Sequence, residues 1–313
     1  MNLTDLQPYL TAISAGLGVA TLGFLLNIVK AVRDNAQDRI AIQEERLKRA
    51  AEEQQRTEKW AEREKTELRE QLNKTKTEMD ALLKREGFDL NTLALGKQLS
   101  DSAAEVRATA QTLVEEMKDK LAQLATVEKP KEEIIDPGWE LSLAMCAMAA
   151  GSFSDAATHF DAYSKNGGES WQAHFSRGVA HANRRCGHDS DLASLRAYNE
   201  AIALAPADMD ANYRARLFSY RGGILKRLGR LQEAEADIRL ALSQATAQHE
   251  VLDAHYNLAC IHAMRGERQL MFEELAILCD SRSHLRAVAA HIQDYFAKFA
   301  NDPELLTVLN RSK

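Results

Sequence analysis

The feature that most constrains this chain is an uncharged run near its amino terminus. The twenty residues from Leu10 to Val29 carry no charge. A helix that rises about 1.5 Å per residue over this length matches the roughly 30 Å hydrocarbon layer of a membrane. Thr21 and Asn27 interrupt the apolar character, so an interfacial or buried helix is the alternative. We predict a transmembrane helix over residues 10–33.

The charges beside the run predict how the chain is oriented. The first nine residues contain no Lys or Arg, whereas Lys30 and Arg33 follow the run. A basic flank favours the cytoplasmic side, and a secretory signal would instead begin with basic residues. We therefore expect a single-pass membrane protein with residues 1–9 outside and the rest cytoplasmic, in a bacterial inner membrane. A eukaryotic outer-mitochondrial anchor with the same orientation is the alternative.

The predicted span carries small residues on one face. Ala12, Gly16 and Ala20 are spaced four apart, which lets a second helix approach closely. This spacing predicts self-association of the chain within the lipid bilayer. The alternative is that small residues are simply common in membrane helices.

Composition and motifs exclude several classes of function. The formal net charge of −6 is spread over both signs without a long basic tract, so we expect no nucleic-acid partner. The four cysteines lie far apart without a paired metal spacing, as expected of packing residues. We find no phosphate-binding glycine loop, nucleophile elbow or zinc-protease helix, and we predict no enzyme, cofactor or metal site. One group resembles a ligand set but lacks a second cysteine pair: Cys186, His188, Asp189 and Asp191.

Residues 34–127 have the pattern of a long helical stalk with a break near 87–92. Charged residues dominate 34–86, without Gly or Pro, and a weak seven-residue seam includes Ile40 and Leu47. This part is either a weak coiled coil or a single helical rod about 80 Å long. A better seam over 99–124 either pairs between chains or folds back as a hairpin around Gly87. A charged linker with two prolines follows at 128–137.

Residues 138–280 repeat a pattern of paired helices. In the clearest unit, FSYRGGILKRLGRLQEAEADIRLAL, Gly222 and Ala234 permit close helix contact, Gly229 permits a turn, and Ile238 fills the hairpin core. The unit resembles the tetratricopeptide repeat family. The positions that carry the resemblance are Gly222, Leu225, Gly229, Ala234, Ile238 and Ala241.

Less regular copies, with glycines at 151, 178 and 266, bring the total to about four repeats. The last stretch, 281–313, resembles the capping helices that end such arrays, with Asp302 as cap and Pro303 opening a short helix. The predicted fold is all-α, with an N-terminal transmembrane helix, a long helical or coiled-coil stalk and a C-terminal α-solenoid like that of the tetratricopeptide repeat.

The resemblance implies a concave surface, lined by the first helix of each hairpin, that binds a protein or peptide. In the family such surfaces sometimes hold an acidic or carboxy-terminal group with basic residues. The alternative is that the apolar members belong to the core and the basic ones to a solvated face. The residues predicted to line this groove are Leu141, Met145, Met148, Phe175, Val179, Arg216, Lys226, Arg227 and Tyr256.

Four histidines occupy packing positions of first helices. His174 and His181 stand seven residues apart, as do His255 and His262. This is too far for one metal ion, so half-buried core imidazoles are expected, although their protonation near neutral pH would affect the array.

Three hypotheses for function remain. The leading one is a membrane-tethered scaffold that recruits a protein through its repeat array. The alternative is an oligomeric membrane effector, of a kind that could act in a defence system. Its array would sense a partner, and its clustered transmembrane helices would perturb the bilayer or conduct across it. An enzyme of unrecognised type is the third. The first predicts that any anchor can replace the span, and the second predicts that none can.

Overall fold

The computed structural model describes residues 3–89, 104–127, 136–184 and 186–310. Within the first helix, side chains are described for Asn27, Lys30 and Asp34 and from residue 37 onward. All regular secondary structure in these ranges is helical, which confirms the predicted all-α class. The helices are α1 (Leu3–Arg85), α2 (Ala104–Val127), α3 (Pro137–Ala150), α4 (Phe153–Lys165), α5 (Trp171–Arg184), α6 (His188–Leu204), α7 (Ala211–Arg227), α8 (Leu231–Gln244), α9 (Gln248–Arg265), α10 (Arg268–Ile277), α11 (Arg282–Ala290), a 3-10 turn (Ala297–Phe299) and α12 (Pro303–Asn310).

The chain forms two compact units, Met1–Glu67 and Leu68–Lys313. The first unit consists of helix α1 up to Glu67. From residue 37 to residue 60 every side chain is exposed, including Ile40 at 55% and Leu47 at 71%. Local pairs one turn apart, such as Arg49–Glu45 at 2.6 Å, support the exposed helix, each by about 0.2–0.5 kcal/mol.

The backbone of the predicted span, residues 10–33, belongs to α1. The side chains of Ala12, Gly16 and Ala20, on which the prediction of self-association depends, lie outside the described residues. Among the residues that are described, no helix is long and apolar enough to cross a membrane.

In the second unit, the end of α1 packs against α2 of the same chain. Lys120 Nζ donates a hydrogen bond to Thr75 Oγ1 at 2.7 Å across the two helices. The better of the two stalk seams is therefore buried within the chain, as in the hairpin alternative. The described residues of this seam, on α2, form one hydrophobic core with residues from the last turns of α1. The fully buried members are Leu72, Met79, Ala110, Val114 and Met117.

Helix α1 ends where the sequence placed a break. Gly87 has a φ of 64°, and Phe88 N donates to Leu83 O at 2.7 Å. This left-handed cap satisfies carbonyl groups that the last turn would otherwise leave unpaired. The remainder of the predicted break, 90–92, and the linker up to 135 lie outside the described residues; α3 begins at Pro137 with Asp136 as its cap.

Helices α3 to α10 pack as four consecutive hairpins, α3/α4, α5/α6, α7/α8 and α9/α10. The turns contain Gly151, Gly229 and Gly266, all with positive φ. Close approach within the hairpins depends on two other glycines. A Cβ at Gly178 would lie 2.4 Å from the ring of Tyr198, and one at Gly222 would lie 2.7 Å from Ile238 Cδ1.

The residues after α10 close the last hairpin. Phe296, Leu305 and Leu309 share a core with residues of α9 and α10. Asp302 accepts a hydrogen bond from the backbone of Glu304 at 2.9 Å and pairs with Arg268 at 2.8 Å. Asp302 thus caps α12 and also fastens it to the start of α10.

Candidate functional site

The nine residues predicted to line a groove occupy several different environments. Met148 and Phe175 are part of the core, with exposures of 3% and 1%. The Phe175 ring lies 5.6 Å from that of Tyr198 and 5.1 Å from that of Tyr220. Val179 is half-buried against the same packing. Phe175 thus joins the hairpins α5/α6 and α7/α8, and Met148 belongs to the core of the first hairpin.

Leu141 and Met145 lie elsewhere, on the first turns of α3. Both line a cavity whose other wall is the end of α1. The sequence pattern placed these two residues on an accessible surface, but Met145 is buried, with an exposure of 5%, and only Leu141 is partly exposed. The pattern also gave no sign that α1 forms part of this wall.

Arg216 is held in an ion pair between first helices. Its Nε donates to Glu250 Oε1 at 2.8 Å, and its Nη2 lies 3.0 Å from His249 Nε2. The side chains of Arg216 and Glu250 are only 13% and 10% exposed. The positive charge is therefore largely neutralised within the array, between α7 and α9.

Lys226 is buried, with an exposure of 4%. Its Nζ donates to Asn257 Oδ1 at 2.7 Å and lies 5.2 Å from the ring centre of Tyr256 and 4.4 Å from that of Tyr295. Its ammonium also lies beside the thiol of Cys260, which is fully buried. We call these five residues the lysine cluster.

The electrostatics of the lysine cluster follow from its burial. Burial lowers the pKa of Lys226, and no carboxylate among the described residues pairs with its ammonium. Burial also raises the pKa of the Cys260 thiol, and the positive charge of the neighbouring Lys226 lowers this pKa by a smaller amount. Two electron-rich rings partly compensate an ammonium in such a site. The lysine cluster joins α7, α9 and the segment after α11, and the burial of Lys226 and Cys260 leaves little room for a partner at the ammonium.

Arg227 is the most accessible of the predicted basic residues. It forms an ion pair with Asp191, and its Nη1 donates to Ala182 O at 3.4 Å. Its side chain is 31% exposed. Lys226 and Arg227 therefore face different surroundings although they are neighbours in the sequence.

The sequence missed three members of the lysine cluster, Asn257, Cys260 and Tyr295. Cys260 stands four residues after the predicted Tyr256, on the same helical face, whereas Asn257 is its immediate neighbour in the sequence. Tyr295 lies in a segment without a repeat pattern, so no sequence signal places it there.

The predicted packing histidines are each paired with a carboxylate. His255 Nδ1 lies 2.6 Å from Glu274, His262 Nδ1 lies 2.6 Å from Glu267, and His181 Nε2 lies 3.1 Å from Asp161. His174 is buried, and burial, followed by the charge of Arg177, lowers its pKa. His174 Nδ1 lies 3.0 Å from Glu200. The pairs of His174, His181 and His255 each join two helices, and the pair His262–Glu267 joins α9 to the turn that follows it.

The suggested ligand set around Cys186 does not assemble as a site. Asp191 is engaged by Arg227, and Cys186 is exposed. In the parts of the chain that the structure describes, no group of three or more His, Cys, Asp or Glu residues is arranged to hold a metal ion.

Comparison with known proteins gives no match, either to a family model or to a curated protein. The resemblance to the tetratricopeptide repeat therefore depends on the spacing of the glycines and packing residues given above.

Proposed function

We propose that this chain is a membrane-tethered scaffold that recruits a protein partner through its C-terminal helical array. The observation that carries the proposal is the order of packing. The hairpins stack in sequence, and first helices also contact one another, α5 with α7 and α7 with α9. Stacked hairpins of this kind, as in a tetratricopeptide-like solenoid, present an extended surface that suits a peptide or a partner helix.

Accessibility decides which of the predicted groove residues are available to a partner. Arg227, Tyr256 and Val179 retain partial exposure, whereas Lys226 and Phe175 do not. An acidic side chain or a carboxy-terminal carboxylate could share Arg227 with Asp191, because a guanidinium has five N–H donors. We therefore assign the charge recognition to Arg227.

The proposed tether is the run Leu10–Val29, which is uncharged and followed by Lys30 and Arg33. Helix α1 continues from this run into the charged stalk without a break in its backbone. A tether of this kind would keep the array at the cytoplasmic face, in the orientation that the flanking charges favour.

The exposed seam supports homo-oligomerisation as part of the same proposal. Ile40 and Leu47 are two turns apart on one face of α1, and both are more than half exposed. A second copy, held nearby in the same membrane, would cover them. This seam is also the observation that favours the second candidate, an oligomeric membrane effector.

Capture of partners by the full chain tests the scaffold proposal. We expect Arg227→Glu to abolish recovery of a partner that wild type captures from detergent extracts. Arg196→Glu is the matched control, because Arg196 is an exposed arginine on the second helix α6. Equal recovery by the two variants would contradict the assignment, provided that both show the wild-type melting temperature.

Exchange of the anchor separates the two candidate functions. Replacement of residues 1–33 by an unrelated transmembrane helix should preserve the function of a scaffold. If the chain is an effector, the exchange should abolish activity, and Gly16→Leu should do the same while partner capture continues. Complete release of the intact chain from vesicles by alkaline carbonate would refute both.

A further inference from the structure

A cavity of about 430 Å³ lies between the end of α1 and the first turns of α3. Its size falls within the range of small-molecule sites, which are mostly apolar with a few polar groups. The apolar part of the lining is formed by Leu83, Phe88, Leu141 and Met145. Because Leu83 and Phe88 stand on both sides of the Gly87 cap, the end of α1 shapes this wall.

One side of the cavity carries polar groups that already satisfy one another. Lys76 Nζ pairs with Asp80 Oδ2 at 2.6 Å, and Ser142 Oγ donates to Asp80 Oδ1 at 2.8 Å. Both oxygens of Asp80 are thus engaged, and its charge is balanced by Lys76. This arrangement leaves no reason for the Asp80 side of the cavity to bind a cation.

Lys84 is the lining cation that remains. It lies one helical turn after Asp80 and is exposed, and its ammonium has no hydrogen-bond or ion-pair partner among the residues that the structure describes. The other lining carboxylate, Asp89, lies close enough to Tyr213 for its charge to raise the pKa of that phenol, after the larger effect of burial. Lys84 is therefore the lining cation whose charge no carboxylate among the described residues balances.

From this combination we infer that the cavity binds a small anionic amphiphile, a medium-chain aliphatic carboxylate. The aliphatic chain would contact Leu83, Leu141 and Met145, and the carboxylate would accept hydrogen bonds from Lys84 Nζ. A charge-assisted hydrogen bond fixes the head group, and apolar burial supplies most of the affinity. Such a site is separate from Arg227 and does not depend on the proposed scaffold function.

Photo-crosslinking of the full chain in phosphatidylcholine nanodiscs tests this inference. The probe is an octanoate analogue with a diazirine in its tail, and adducts are mapped by mass spectrometry. We expect adducts on the peptides that contain Leu83, Leu141 or Met145. Unlabelled carboxylates should displace the probe, with potency rising about threefold to fourfold per added methylene until the cavity is filled.

Three variants examine the head group. Lys84→Met should weaken competition by octanoate about tenfold, because a hydrogen bond to a charged group is lost, while Lys84→Arg should stay close to wild type. Lys74→Met is the matched control, since Lys74 lies on the same helix, is 80% exposed and is absent from the lining. Adducts confined to other peptides, octanol competing as well as octanoate, or equal behaviour of Lys84→Met and Lys74→Met would overturn the inference.

Discussion

Two neighbouring glycines of α7 should respond in opposite directions to the same substitution. A Cβ at Gly222 would lie 2.7 Å from Ile238 Cδ1, 2.9 Å from Ile238 Cγ1 and 3.2 Å from the backbone oxygen of Ala234. Ile238 is fully buried, so its side chain has little room to move. A Cβ at Gly223 would meet nothing within 4 Å.

The magnitudes follow from two opposing effects. Replacing Gly by Ala in a helix stabilises the folded state by about 1 kcal/mol. Overpacking of a core costs about 1–3 kcal/mol. Gly223→Ala gains only the first effect, so we expect it to stabilise the protein by up to about 1 kcal/mol. Gly222→Ala combines the gain in helix propensity with the larger cost of overpacking, so we expect it to lower the free energy of unfolding by about 1 kcal/mol.

Calorimetric unfolding of the purified full chain measures the difference. For a unit of about 150–250 residues, 1 kcal/mol corresponds to about 2–4 °C in melting temperature. The two variants should therefore melt on opposite sides of wild type. If Gly222→Ala stabilises the chain as much as Gly223→Ala does, the close packing of α7 on α8 is not as described.

Three further predictions concern other parts of the second unit and the stalk. Arg216→Met should destabilise the chain by about 3 kcal/mol, because Glu250 is left as a poorly solvated charge. In urea unfolding of Arg216→Met, Glu250→Leu and the double variant, the double variant should recover most of this loss. Additive losses would contradict the pairing. His174 has a pKa lowered from 6.5 by burial, so the unfolded chain takes up its proton first, and stability should fall as the pH drops below 6.5. Urea unfolding across this range should show a weaker pH dependence of stability in His174→Gln. An unchanged pH dependence would exclude His174 as its source. Met117→Ala, at a fully buried position, should cost about 2–5 kcal/mol of stability in thermal unfolding. Leu47→Ala, at a position 71% exposed, should leave the melting of the monomer unchanged and weaken self-association in analytical ultracentrifugation. The reverse pattern would contradict the burial of Met117 within the chain and the role of Leu47 in self-association.

Local features of the fold could be predicted because they depend on local chemistry. The cap at Gly87, the turn glycines and the close contact of Gly222 require particular residues at particular places in a helix, whatever lies further away. Asp302 could be predicted as a cap for the same reason. The helical class follows from the periodicity of apolar residues over long segments without glycine or proline.

The candidate site was predicted less completely, because accessibility depends on distant residues. Lys226 and Arg227 are adjacent and equally basic, yet Lys226 lies against Tyr295, far along the chain, and is 4% exposed, whereas the side chain of Arg227 is 31% exposed. Leu141 and Met145 were predicted to line a surface, but the residues of α1 that complete it precede them by more than fifty positions. The residue pattern along one helix does not indicate which distant residues will cover that helix.

The sequence by itself determined the helical class, the positions where helices end and the glycines at which helices touch, because backbone conformation and side-chain size act over a few residues. Only the tertiary structure decided that the better stalk seam is buried within the chain, that Arg216 and Lys226 are satisfied internally, and that a cavity forms beside Lys84. A periodic pattern defines an apolar or charged face, but whether that face meets solvent, another helix or a counter-charge depends on distances set by the whole fold.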